Sequence, residues 1–135
     1  MTEDGGTTIK PVTNSNGHLI PAILGIHYKD SVLLAVGGNE RNFGYINKSM
    51  DFGKTWKSLH FEGIGVTRDC QILDRNTYVV SGMNTGNKAC VYKANDGGLN
   101  WKKVISTNTS ATFCRKIHIN ENGIGLASVQ DLNQV

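Results

Sequence analysis

Apolar runs of four to eight residues alternate along this chain with clusters of Gly, Asn, Asp and Ser, and nowhere does a helical period hold for ten residues. "PAILGIHYKDSVLLAVGG", "TRDCQILDRNTYVVSGM" and "FCRKIHINENGIGLASVQ" each read as an apolar strand, a polar turn and a second apolar strand ending in small residues. "FGYINKS" and "ACVYKAN" supply third strands to the first two, and "TWKSLHF" and "NWKKVIS" supply fourth strands. The pattern predicts an all-β chain with four antiparallel strands per unit.

Between third and fourth strands the same octapeptide is nearly repeated, "SMDFGKTW" at 49–56 and "ANDGGLNW" at 94–101, and "TEDGGTTI" at 2–9 is a further copy. Asp4, Asp51 and Asp96 are 47 and 45 residues apart, which is about the length of one propeller blade. The expected architecture is three four-stranded antiparallel blades of a β-propeller, half of a six-bladed ring or a propeller fragment. One blade takes 13–61, the next 62–106, and a split blade combines 1–12 with 107–135. In each octapeptide the carboxylate can accept from backbone N–H groups that the hairpin loop leaves unpaired. Gly53 and Gly98 supply positive φ, the hydroxyl of Thr2 or Ser49 adds a local bond, and Trp56 or Trp101 buries a ring, contributing about 1.5 to 3 kcal/mol if fully covered.

The pattern S-x-D-x-G-x-T-W resembles the Asp box, or BNR repeat, of sialidase-like β-propellers. Ser49, Asp51, Gly53, Thr55 and Trp56 match it fully. Asp96, Gly98 and Trp101 keep it with Ala94 and Asn100 as departures, and Thr2, Asp4, Gly6 and Thr8 keep it with Ile9 in place of Trp. The turns "ILDRNTYVVSG" and "HINENGIGLAS" also look like those of the Ycf48/Hcf136-type assembly factors. The resemblance implies that the boxes lie at the blade periphery, away from any substrate site, so the repeated motif carries no activity with it.

The bulk numbers narrow the function. With 39% hydrophobic and 19% charged residues and sixteen glycines among 135, the chain has the composition of a turn-rich globular domain. A net charge of +3, spread without runs, makes no electrostatic case for nucleic acid. No apolar run is long enough for a membrane span, and the polar, acidic N-terminus reads as neither export signal nor anchor, so no compartment follows. Cys70, Cys90 and Cys114 lack metal-ligand spacing, and no metal or cofactor is expected. In register Cys70 matches Lys116 and Cys114 matches Arg68, which turns the two thiols to opposite sides, and no disulfide is expected.

Chemistry is expected where inner strands and their entry loops meet the loops between second and third strands. Those segments bring Glu40, Arg41, Glu62, Arg68, Asp69, Lys88, Arg115 and Lys116 together, and Arg41, Arg68, Asp69 and Arg115 are the candidate ligand or partner contacts. His27 and His118 read as hydrogen-bonded core histidines, and His18 and His60 as exposed. Asn47 and Asn108 each begin a glycosylation triplet, a short pattern common by chance. One expected function is a non-catalytic module or scaffold that binds a protein or carbohydrate. The other is a fragment of a sialidase-type glycoside hydrolase, whose family clamps a carboxylate with three arginines and uses a tyrosine backed by an acid. Tyr28, Tyr45, Tyr78 and Tyr92 fall in strands at positions that read as packing, and half the blades of such an enzyme are missing, which favours the first. The chain opens just before an octapeptide and stops after a second strand. A head-to-tail homodimer closing a six-bladed ring is therefore expected, with "QDLNQV" of one copy and "TTIKPV" of the other sharing a blade.

Overall fold

A computed structural model describes residues 2–11, 13, 22–39, 41, 43–59 and 61–133. Ten strands form: β1 (Ile23–Lys29), β2 (Val32–Gly38), β3 (Gly44–Ser49), β4 (Lys57–Leu59), β5 (Ile64–Ile72), β6 (Tyr78–Asn84), β7 (Ala89–Ala94), β8 (Lys102–Ser106), β9 (Thr112–Ile119) and β10 (Gly125–Asp131). β1 to β4 make one sheet in sequence order, β5 to β8 a second, and β9 with β10 a third, with every pairing antiparallel. Asp30 and Ser31, both at positive φ, join β1 to β2 with the backbone twist that a tight hairpin requires. Among the described residues no helix is long and apolar enough to cross a membrane.

The alternation along β6 explains the stacking. Tyr78 and Val80 point toward the first sheet and pack with Leu34, Val36, Ile46 and Cys70, while Val79 points the other way and packs with Val91 and Cys114. A sheet apolar on both faces must be covered on both, and here the neighbours are the sheets before and after it in the chain. Each buried aliphatic side chain contributes about 1.5 to 3 kcal/mol.

Polar side chains stitch the innermost strands together. His27 Nδ1 on β1 accepts the Ile72 N–H of β5 at 3.2 Å, and Lys29 Nζ donates to the Leu73 carbonyl. One step on, Gln71 of β5 makes two bonds to the backbone of Ile119 on β9, at 2.6 and 2.7 Å. Burial lowers the pKa of His27 and favours the neutral ring that can accept.

Three points differ from the sequence reading. The third unit has two strands among the described residues rather than four, and residues 2–11 form an exposed turn with no strand. Without a third strand beside it, β10 keeps Leu126 80% and Val129 49% exposed. His118 is likewise exposed, because no further sheet covers that side of β9. The third difference is register. Ladder irregularities at Thr67/Asp69 and at Ser128/Val129 make Arg68 equivalent to Arg115, so that Cys70 matches Ile117 rather than Lys116. Cys70 faces the first sheet and Cys114 the second. All three cysteines are free and buried; Cys70 and Cys114 lie in different layers, whereas Cys70 and Cys90 share the layer between the first and second sheets.

Candidate functional site: a ring flanked by two bulge arginines

Each innermost strand carries a bulge near its start. In β1 the pairing skips Leu24, in β5 it skips Arg68, and in β9 it skips Arg115. A bulge leaves one residue outside the ladder and re-aims its side chain, and such irregularities gather beside binding sites. Glycines on the second strands accept the crowding: a Cβ at Gly82 would overlap the Val66 carbonyl.

Arg68 and Arg115 converge on Phe113. Their guanidinium carbons lie 4.9 and 5.3 Å from its ring centroid, and the ring is 7% exposed. Contacts of this kind contribute about 0.5 to 2 kcal/mol each and hold the planar forks in place. Arg115 Nε donates to Gln130 Oε1 from β10. Arg68 Nε is buried with no hydrogen-bond partner among the described residues, a costly state for a charged donor. Both guanidinium groups are braced on the Phe113 ring, and the Arg68 Nε donor is unused among the described residues.

The other candidates are placed differently. Asp69 is 8% exposed, accepts the Ile117 N–H at 3.0 Å and faces Lys116 Nζ at 3.4 Å, so its carboxylate ties β5 to β9. Arg41 stands exposed in the β2–β3 loop, its N–H held by Asn39 Oδ1, and its side chain makes no hydrogen bond or ion pair among the described residues. Glu62 and Lys88 belong to two loops at the same end, which Thr85 N–H donating to the Gly63 carbonyl joins. Glu40, His18 and His60 lie outside the described residues. Asn47 is 3% exposed and accepts from Ser58, which removes it as a glycosylation acceptor, whereas Asn108 is exposed. Phe113 and Gln130 were not candidates in the sequence. An aromatic residue inside an apolar strand gives no signal, and the bulge that places Arg115 beside it is invisible without pairing.

The octapeptides form nearly superimposable turns. In 49–56 the Asp51 carboxylate accepts from Ser49 Oγ, Thr55 N–H and Thr55 Oγ1 at 2.8, 2.9 and 2.6 Å. In 2–9 Asp4 accepts from Thr2 Oγ1, Thr8 N–H and Thr8 Oγ1 at the same three distances. Asn100 replaces threonine in the other copy, donating to Asp96 through N–H and Nδ2 at 3.0 and 2.8 Å. Donation by the threonine hydroxyl and N–H lowers both Asp4 and Asp51 to about 2, and donation from Asn100 lowers Asp96. Trp56 and Trp101 turn their indole N–H onto the carbonyls of Gly53 and Gly98. Both oxygens of each carboxylate thus accept hydrogen bonds from within their own loop. Tyr78 and Tyr92 donate to backbone carbonyls and Tyr45 receives from Asn39, so none of the three stands beside the arginine pair with a free hydroxyl. Among the described residues no group of three or more His, Cys, Asp or Glu could hold a metal ion.

No protein-family model matches the chain, and no curated protein matches it. Among solved structures, YCF48 bound to a D1 peptide is similar at 18% identity with a TM-score of 0.65, over 97% of this chain and 42% of that one. A GH43 beta-1,3-galactosidase is similar at 14% identity with a TM-score of 0.53, over 90% of this chain and 33% of that one. The chain thus spans less than half the length of each of these two proteins. At these identities the likeness shows the fold, an all-β propeller segment, and it places the chain in neither family.

Proposed function

We propose that the chain is a non-catalytic Asp-box propeller segment serving as a binding module, and that it holds a carboxylate of a protein partner between Arg68 and Arg115 over Phe113. The observation that carries this reading is the Arg68 Nε, buried and without a hydrogen-bond partner among the described residues, in a guanidinium braced against an aromatic ring. Two guanidinium forks match a carboxylate bidentately, and Arg41, on a loop beside β2, adds a third positive charge for an acidic neighbour. The Asp-box assignment draws on the three turns with shared hydrogen bonds at a blade-length period. The peptide bound by the structurally similar YCF48 supports a peptide over a sugar.

The test is fluorescence anisotropy with acidic peptides ending in a free carboxylate, the same peptides amidated, and neutral and acidic oligosaccharides. Binding should need a carboxylate and fall at least tenfold in Arg68→Gln and in Arg115→Gln. Equal binding by wild type and both variants, or binding of oligosaccharides alone, refutes the reading. The GH43 likeness keeps a glycoside hydrolase fragment as the second reading. Release of a fluorogenic sialoside or galactoside by the purified chain, abolished by Arg68→Gln, decides for it.

A further inference from the structure

The octapeptide turn of the second sheet is held by two contacts to the first sheet, from Lys48 and Leu59, and by one to the β5–β6 turn of its own sheet. Lys48 Nζ on β3 donates to the Gly97 carbonyl at 2.6 Å. The Gly97 N–H donates to the Asn76 carbonyl at 2.9 Å. Gly98 lies so close to Leu59 of β4 that a Cβ there would stand 2.6 Å from Leu59 Cδ1. Glycines at positive φ permit this close approach, and Gly97 and Gly98 adopt +73° and +89°.

The same seat exists one sheet on, and none of the described residues fills it. Lys93 pairs with Val79 on β6 and Lys102 on β8 as Lys48 pairs with Leu34 on β2 and Lys57 on β4. Ile105 pairs with Val91 as Leu59 pairs with Ile46. Gly123, in the β9–β10 turn, stands where Asn76 stands in the β5–β6 turn. Lys93, Ile105 and Gly123 together line an apolar hollow of about 290 Å³ between the second and third sheets. Leu59 in its filled seat is 8% exposed, while Ile105 in this one is 51% exposed.

The chain also carries an unseated turn. Residues 2–9 hold the hydrogen bonds described above, and Gly5 and Gly6 adopt φ of +68° and +93°. A Cβ on either would meet nothing within 4 Å. We propose that a second copy of this chain docks here. Its 2–9 turn enters the hollow with Gly5 N–H on the Gly123 carbonyl, the Gly5 carbonyl on Lys93 Nζ and Gly6 against Ile105. This contact is head-to-tail, joining two different surfaces. Two such contacts close two copies of three units into a ring of six, within the usual range of four to eight blades. The docking depends on no ligand at Phe113, so the two proposals stand or fall separately.

Sedimentation equilibrium of the full chain tests it. The wild type should give twice 14.7 kDa at micromolar concentration. A seat variant, Lys93→Glu with Ile105→Lys, and a plug variant, Gly6→Asn, which tolerates positive φ but adds a Cβ that the seat has no room for, should each give 14.7 kDa with unchanged near-ultraviolet circular dichroism. Mixing the two variants should restore the doubled mass, because one intact seat then meets one intact turn. A folded wild type of 14.7 kDa at all concentrations overturns the proposal. So does a variant that keeps the wild-type mass, and so does a mixture that stays monomeric. A turn folding back into the seat of its own chain gives the first of these results.

Discussion

Thr67 donates its hydroxyl to the carbonyls of Gly37 and Tyr45, 2.6 and 2.9 Å away, and accepts the Gly37 N–H at 2.9 Å. One side chain of β5, 0% exposed, thereby closes the backbone of β2 and β3 where the first sheet meets the second. Thr67→Val keeps the shape and removes the polar atom, orphaning a buried N–H whose desolvation costs about 1 to 3 kcal/mol. The variant should lose about 2 kcal/mol in urea denaturation with an unchanged slope. An unchanged midpoint would show that the hydroxyl is not the tie between the sheets.

The Asp51 carboxylate loses its proton at about 2 instead of the ordinary 3.8, first because the Thr55 hydroxyl donates to it, and then through Thr55 N–H and Ser49. Its folded pKa lies below its unfolded pKa. The stabilisation is therefore complete above the unfolded value and is lost as pH falls toward about 2. Asp4, also at about 2, behaves in the same way. The urea midpoint of the wild type should drop between pH 4 and pH 2. Asp51→Asn should be less stable at pH 7 and lose less over that interval. Identical pH profiles for the two proteins would remove Asp51 from the acid transition.

The octapeptides were legible because each is a local device. Asp51 reaches only as far as Ser49 and Thr55, so sequence spacing suffices to describe it. Strand alternation was legible for the same reason, since Tyr78 and Val79 face opposite layers whatever those layers are. The bulges at Leu24, Arg68 and Arg115 were not, because a bulge is a relation between two strands. A one-residue slip there misassigned Cys114 to Arg68 and concealed that both arginines reach Phe113. Asp69 was legible as a charged residue on an inner strand, but its use on the Ile117 N–H depends on how β9 stacks on β5.

Cys70, Cys90 and Cys114 are 3%, 1% and 1% exposed, and burial pushes Cys70 and Cys90 up to about 12 and raises Cys114. The thiolate is the reacting form. The native protein at pH 8 should therefore resist a thiol reagent for hours, while the unfolded, unreduced chain should titrate three thiols at once. Fewer than three on unfolding would reveal a disulfide, and rapid native labelling would show that the layers open.

Asp69 offers the sharpest separation of an ion pair from a hydrogen bond. Its partner Lys116 is 72% exposed along its side chain, and a pair of that kind contributes about 0 to 1 kcal/mol. The Ile117 N–H, in contrast, sits between β5 and β9 and has the Asp69 carboxylate as its acceptor. Lys116→Ala should therefore cost less than about 1 kcal/mol. Asp69→Ala, which leaves the N–H unpaired, should cost about 1 to 3 kcal/mol, and Asp69→Asn, which keeps an acceptor, should fall between them. Hydrogen exchange at the Ile117 amide should accelerate in Asp69→Ala and stay slow in Lys116→Ala. Equal exchange in both variants would place the strength of this junction in the charge pair after all.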